Sequence, residues 1–284
     1  MLNALFLALA AFAVSAQSVL QKSYNVKVGR GGAFVFSATS VLFAAVFFLA
    51  FGGGHLRFPM EVFPYALGFA LSYGTAVIAG LLAIKLGSLS LTSLIISYSL
   101  IIPTLYGICF LEEEAGLLFG AGLSLLFVSL FLMNARKGGS KIKLAWVVAV
   151  FFAFLGNGIC STVQTVQQKT FRGEYGGEMM AFALLTVAAV TSVAAVACER
   201  KDILPSLRHG GTRAAACGLF NGACNLLVML LAVRMEVAVM FPVISASGIL
   251  LTGAVSRFLY KERLSRRQYV ALILGTIAVV LMNL

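Results

Sequence analysis

Three pairs of carboxamide side chains are the residues of this chain best suited to bind a small molecule. Each pair is spaced four residues apart, which places both amides on one face of a helix. The pairs are Gln17 and Gln21, Gln164 and Gln168, and Asn221 and Asn225. An amide both donates and accepts hydrogen bonds. The pattern therefore favours a zwitterion, a sugar or a nucleobase over an ion.

Other polar residues in apolar surroundings extend this candidate binding site. They are Tyr73, Ser97, Tyr98, Asn157, Ser245 and Ser247. Lys22 and Lys169 directly follow Gln21 and Gln168, and we interpret them either as interfacial anchors or as gates that attract an anionic group at each mouth. For every amide, the alternative is a hydrogen bond that only holds two membrane helices together.

These residues belong to two related halves. The ten residues 15–24 (SAQSVLQKSY) recur as residues 162–171 (TVQTVQQKTF), at an offset of 147. Further pairs, offset by 149, are Lys85 and Arg234, Glu113 and Glu262, Ser72 and Asn221, and Ala76 and Asn225. The repeat predicts two domains, residues 1–137 and residues 142–284, and internal duplication of an apolar chain is typical of transporters.

The elements that carry these residues are predicted to be membrane helices. The chain is 61% hydrophobic and 11% charged, with a mean hydropathy of +1.00, whereas soluble domains carry about 25% charged residues. Apolar runs long enough to cross a bilayer recur along the chain. We place ten, at about 3–22, 31–52, 62–84, 89–110, 115–134, 144–167, 178–198, 212–233, 237–258 and 267–284.

The number of helices fixes how the halves relate. A half with five spans begins and ends on opposite sides of the membrane, so the second half enters inverted. The sequence thus predicts an all-α membrane protein of two inverted five-helix repeats, an architecture that supports alternating access around a midplane cavity.

The end of each half resembles an EamA domain of the drug/metabolite transporter superfamily. In the second half the pattern runs from Pro242-Val243 to Glu262 and continues to Gln268 and Gly275. In the first half, a weaker copy runs from Ser93 through Pro103, Glu112-Glu113-Glu114, Gly120 and Gly122. Because Pro103 falls about ten residues later than Pro242 would predict, we expect the two halves to be kinked differently.

The resemblance implies a ten-helix transporter, but it leaves the substrate open. Members of the superfamily carry amino acids, nucleotide sugars, choline-like cations, purines and drugs. By the same resemblance, helices five and ten should pack together within one chain, so that a monomer suffices and a homodimer is the alternative. GxxxG spacings at Gly116 and Gly120, and at Gly218 and Gly222, predict close helix packing.

The 21 Lys and Arg residues are distributed unevenly between the two sides. All but Arg57, Lys169, Arg172 and Arg234 fall in or near the loops after the first, third, fifth, seventh and ninth helices. Positive residues collect on the cytoplasmic side, so this bias predicts both termini outside the cytoplasm of a bacterial inner membrane. Ten-helix relatives more often have both termini inside.

Other classes of chemistry lack a matching pattern. All ten acidic residues fall at span ends or in loops, and the first helix has Ala11 and Phe12 where small proton-coupled exporters carry a carboxylate. The five cysteines form no CxxC, and His55 and His209 lie far apart. We therefore expect no catalytic residue, no metal, no cofactor and no ATP-binding loop. The net charge of +11 is explained by anionic lipid headgroups without nucleic acid.

The sequence therefore predicts a secondary transporter for a small polar metabolite, such as an amino acid or a nucleoside. The alternative within the transporter class is a multidrug or lipophilic-cation exporter, for which an aromatic cavity would be expected. A channel, a lipid scramblase or a membrane enzyme would each fit fewer of these features.

Overall fold

The structure is a computed structural model that describes residues 2–28, 32–51, 56–86, 92, 95–96, 98–113, 116–134, 143–260 and 266–281. The regular elements in these ranges are helical. The α-helices are α1 Leu2–Val28, α2 Ala33–Phe51, α3 Phe63–Leu86, α4 Ile101–Phe110, α5 Leu117–Asn134, α6 Leu144–Thr170, α7 Gly176–Glu199, α8 Ile203–Ala232, α9 Val237–Tyr260 and α10 Arg266–Leu281. Short 3-10 turns at Met60–Val62 and Tyr98–Leu100 lead into α3 and α4.

The helices have the composition of membrane segments. Six of them, α1, α2, α3 with its preceding turn, α6, α7 and α8, are long and apolar enough to cross a bilayer. Shorter apolar helices follow at Tyr98–Phe110, Leu117–Ser129, Val237–Gly248 and Tyr269–Ala278. In hydrocarbon a helix satisfies its own backbone hydrogen bonds, which explains why uninterrupted apolar runs fold in this way.

The helices pack in pairs that join the first half of the chain to the second. The most extensive pairings are α3 with α6, α2 with α7, α1 with α8, α2 with α8 and α5 with α10. The last of these agrees with the expectation for helices five and ten, and it includes a hydrogen bond of 2.7 Å from the Ser129 hydroxyl to the Ala271 carbonyl. The largest apolar core joins α2, α3 and α7, and Phe48, Phe69 and Leu184 are buried in it.

Glycines allow two of these helix pairs to approach closely. A Cβ on Gly156 of α6 would lie 2.6 Å from the Ser72 carbonyl oxygen of α3. Gly218 of α8 packs in the same way against the Ser40 carbonyl of α2, and Gly222 packs against Phe47. The expectation for Gly116 and Gly120 was wrong, because no described atom lies within 4 Å of a Cβ built at either position.

Helix α4 begins at Ile101, well after the predicted start of the fourth span at 89, and two other helices extend beyond their predicted spans. Helix α8 begins at Ile203, nine residues before the predicted span, and α1 continues past residue 22 to Val28. These extensions are helical but polar, and His209 is therefore in a helix where its side chain is exposed. Hydropathy locates the part of a helix that lies in the bilayer, whereas a helix extends into water wherever its backbone bonds can continue.

The two prolines occupy different positions in their helices, and the expectation of different kinks stays a prediction. Pro103 is the third residue of α4, where a missing backbone N–H costs nothing. Pro242 lies inside α9, where it removes a helical hydrogen bond.

Candidate functional site

Amides from three helices meet in the interior of the helix bundle. The Asn221 amide nitrogen on α8 donates to the Gln17 side-chain oxygen on α1 at 3.0 Å. One turn further along α8, Asn225 donates to the side-chain oxygen of Asn221 at 3.2 Å. From α6, Gln164 donates to the Asn225 backbone carbonyl at 3.2 Å. We call Gln17, Gln164, Asn221 and Asn225 the amide network.

Tyr73 of α3 brings a fourth helix to the amide network. Its hydroxyl interacts with the Asn221 side chain, and the thiols of Cys160, Cys217 and Cys224 lie in the same neighbourhood. Its ring packs against Phe69, with the ring centroids 5.5 Å apart. The site therefore combines amide, phenol and thiol groups, and all of these are neutral.

The second glutamine of each duplicated pair lies elsewhere. Gln21 is exposed on the surface of α1. Gln168 is 2% exposed and donates to the Gln167 side-chain oxygen at 2.6 Å, while Gln167 donates to the Glu174 carbonyl at 2.8 Å. Gln168 thus holds the turn between α6 and α7, outside the amide network.

Of the other predicted site residues, two connect helices to each other. Asn157 of α6 donates to the Ser99 hydroxyl before α4 at 2.6 Å. The Tyr98 hydroxyl donates to the Phe127 carbonyl of α5 at 3.0 Å.

The remaining predicted positions do not join the network. Ser245 and Ser247 are half-buried on α9, and the hydrogen bonds described for the amide network do not extend to them. Ser97 and Glu262 lie outside the described residues.

The charged side chains nearest to the buried interior are paired. Lys169 at the end of α6 contacts Glu113 at 3.2 Å, and Lys85 at the end of α3 contacts Glu199 at 3.0 Å. Both glutamates are nearly buried, with side-chain exposures of 5% and 4%. Lys22 is half-buried near the end of α1.

Sequence reasoning missed Gln167 and the interior positions of Glu113 and Glu199. The adjacent glutamines at 167 and 168 were a usable signal, because two consecutive amides near a helix end are costly unless they satisfy each other. The two glutamates gave no local signal, since their partners lie 56 and 114 residues away.

Metal-binding and disulfide geometry are not found in the part of the chain that the structure describes. No group of three His, Cys, Asp or Glu side chains there could hold a metal ion. Each of the five cysteines is a free thiol, and Cys160 and Cys217 are buried. The cysteines inside the bundle act as small packing residues beside the amide network.

The fold and the site define an integral membrane protein built of packed apolar helices with a neutral polar interior. Residues 147–284 match the model of the EamA-like transporter family. The second half of the chain therefore carries the signature of this family of membrane transporters, which is part of the drug/metabolite transporter superfamily.

Solved structures support the same architecture over the whole chain. One, described only as "Crystal structure of protein", matches 99% of this chain and 98% of its own, with a TM-score of 0.79 and 16% sequence identity. At this identity the likeness concerns the fold alone. No curated protein matched the sequence.

Proposed function

We propose that this EamA-like transporter carries a small polar metabolite without net charge through a cavity formed at the amide network. The observation that supports this proposal is the convergence of Gln17, Gln164 and Asn221 from three separate helices. Amides that only held two helices together would need no third helix. A substrate amide or hydroxyl can replace these mutual hydrogen bonds one for one.

The choice of a neutral substrate follows from the charges. The described Lys and Glu side chains closest to the interior are paired with each other at helix ends. A net-charged substrate would need a counter-charge in the membrane interior, where an unpaired ion is costly. A zwitterion, a nucleobase or a nucleoside can instead be bound by amides, the Tyr73 hydroxyl and helix dipoles.

The helix pairing supports the proposed inverted repeat of residues 1–137 and 142–284. If each helix in one half corresponds to the helix five places later, the α1–α8 pair corresponds to α6–α3. The α2–α7, α4–α9 and α5–α10 pairs correspond to themselves. All of these pairs are in contact. A two-fold relation of this kind would let the halves rock around the amide network, as alternating access requires.

The proposal is tested by ligand binding and transport with matched variants. The purified protein is screened by thermal shift against amino acids, nucleosides, sugars, choline-like cations and dyes, because a ligand of the folded state raises its stability. We expect a shift with one polar class, lost in Gln17→Leu and Gln164→Leu and kept in Gln21→Leu. Equal responses of all three variants would contradict a substrate role for the network.

One observation favours the alternative of a lipophilic substrate. A groove of about 800 Å³ is lined mostly by apolar side chains of α3, α6 and α7, including Leu71, Ile78, Leu82 and Phe152. It is separate from the amide network and suited to hydrophobic molecules. Thermal shifts with many dyes and lipophilic cations, unaffected by Gln17→Leu, would support this exporter function.

The orientation proposed from the Lys and Arg bias places both termini outside the cytoplasm. A fluorescent protein fused to the C-terminus should remain dark in a bacterial host, while an alkaline phosphatase fusion should be active. The reverse result would favour the orientation more usual among ten-helix relatives.

A further inference from the structure

Two buried glutamates, Glu113 and Glu199, bind helix ends at opposite ends of the bundle. Lys169, the partner of Glu113, precedes α7 by seven residues, and Glu199 is the last residue of α7. This helix has 24 residues, which corresponds to about 36 Å. The two carboxylates therefore lie on opposite sides of the protein, and each can restrain only its own side.

The Glu199 carboxylate connects three helices. One oxygen accepts hydrogen bonds from the backbone N–H groups of Phe34 at 2.8 Å and Val35 at 3.2 Å, at the start of α2. The other contacts Lys85 at the end of α3. The Lys85 ammonium also lies 4.7 Å from the centroid of the Phe34 ring.

The Glu113 carboxylate makes the same kinds of contact on the opposite side of the protein. One oxygen accepts a hydrogen bond from the backbone N–H of Ala238 at 2.8 Å, at the start of α9, and the other contacts Lys169 at the end of α6. Glu112 turns the chain back with a φ of 55°, and Gly107 provides the space, because a Cβ there would collide with the Glu113 carboxylate.

The helices beneath the two carboxylates differ in their packing. Next to Glu199, Phe34, Val35 and Ala195 form a buried apolar cluster that joins α2 and α7, and the largest core joins the same helices further along. Among the described residues, no apolar cluster contains side chains of both α6 and α9. Helix α4 packs against both α6 and α9, and Glu113, just after α4, supplies the direct polar link between the end of α6 and the start of α9.

We propose that Glu113 is a functional residue of the transport cycle, which closes one mouth of the central cavity by holding the start of α9 to the end of α6. This inference rests on the proposed function as a transporter. Glu199 is a permanent anchor by contrast, since apolar packing holds its helices together without it.

Exposure explains how the Glu113 contact can open. The Lys169 side chain is 33% exposed, so water can replace Glu113 as the partner of the ammonium as the helices separate. While the mouth is closed, Glu113 neutralises the charge of Lys169, so that Lys169 does not attract an anionic substrate. We call the Glu113–Lys169 contact, together with the hydrogen bond of Glu113 to Ala238, the lock.

The lock is tested by a distance measurement that needs no substrate. Spin labels are attached to cysteines introduced at Thr170 and Glu236, both exposed, in a variant whose five native cysteines are replaced by alanine. Pulsed electron paramagnetic resonance in lipid nanodiscs then reports the separation of α6 and α9. We expect Glu113→Gln and Lys169→Met to add a population at longer distance, and Glu199→Gln to leave the distribution unchanged.

A glycine pair provides a variant that keeps all charges. Gly107→Ala should displace the Glu113 carboxylate and lengthen the same distance. Gly120→Ala is the matched control, because a Cβ there meets no atom of the described residues within 4 Å. If Glu113→Gln does not fold, Lys169→Met and Gly107→Ala decide the question.

The possible results distinguish a lock that opens from a contact that has no role in opening. Unchanged distances in the Glu113, Lys169 and Gly107 variants would overturn the proposal, and so would an equal change in Glu199→Gln. Because the readout does not involve transport, a failure to find a polar substrate leaves the result on the lock intact. The reverse also holds, since a rigid α6–α9 contact would not affect ligand binding at the amide network.

Discussion

In the proposed repeat the α1–α8 and α3–α6 interfaces correspond to each other, but they are built from different chemistry. On α8, Asn221 and Asn225 are offset by 149 from Ser72 and Ala76 on α3. The Asn221 amide of α8 donates a hydrogen bond to the Gln17 side-chain oxygen of α1. The equivalent small residues of α3 instead accept the close approach of Gly156.

This difference explains why polar groups collect on one side of the bundle interior. Gln164 is the counterpart of Gln17, but α3 carries no amide side chain with which it could pair. It instead donates a hydrogen bond to the Asn225 backbone carbonyl of α8. A duplicated pair of glutamines has thus become an asymmetric network centred on α8. We infer that α8 contributes specificity, while the α3–α6 interface supplies rigidity.

The largest expected effect comes from breaking the close α3–α6 approach. Gly156→Val would place a Cβ 2.6 Å from the Ser72 oxygen and 2.8 Å from the Ala76 nitrogen. Both are backbone atoms, so the helices must separate. We expect a loss of about 1–3 kcal/mol or more in the free energy of unfolding, measured by denaturant titration in mixed micelles.

The matched control for this prediction lies in the same interface. A Cβ on Gly68 of α3 would meet Val163 at an ordinary 3.7 Å, so Gly68→Ala should change stability little. Equal losses from the two substitutions would show that α6 and α3 are less tightly packed than the structure indicates.

The second glutamines of the repeat provide the next comparison. Gln168→Leu removes a fully buried amide and leaves the Gln167 oxygen without its donor. An unsatisfied buried group costs about 1–3 kcal/mol, so we expect a lower unfolding midpoint in a thermal scan. Gln21→Leu, on an exposed surface, should have almost no effect. A larger loss for Gln21→Leu would contradict the different roles given to these residues.

These glutamines show how far sequence can predict the structure. The helical class and most spans follow from hydropathy, and i, i+4 spacing places the amides of each pair on one helix face. The different environments of Gln21 and Gln168 do not follow, because the two similar local patterns have different neighbours in the fold. Pairing of Glu113 with Lys169 depends on how α4, α6 and α9 pack, which no local pattern encodes.

The smallest expected effect concerns the Gln17–Asn221 hydrogen bond itself. A double-mutant cycle with Gln17→Leu and Asn221→Leu isolates its energy, and membrane hydrogen bonds average about 0.6 kcal/mol in such cycles. We expect a coupling of this size in the stability of the protein, together with a complete loss of the ligand-induced thermal shift. If the coupling is strong but ligand binding is undiminished, the Gln17–Asn221 pair only holds α1 and α8 together. The substrate would then have to bind near Gln164 and Tyr73. The same cycle with Asn221→Ser, which gives α8 the side chain that α3 has at its equivalent position, tests whether the amide alone makes the two interfaces differ.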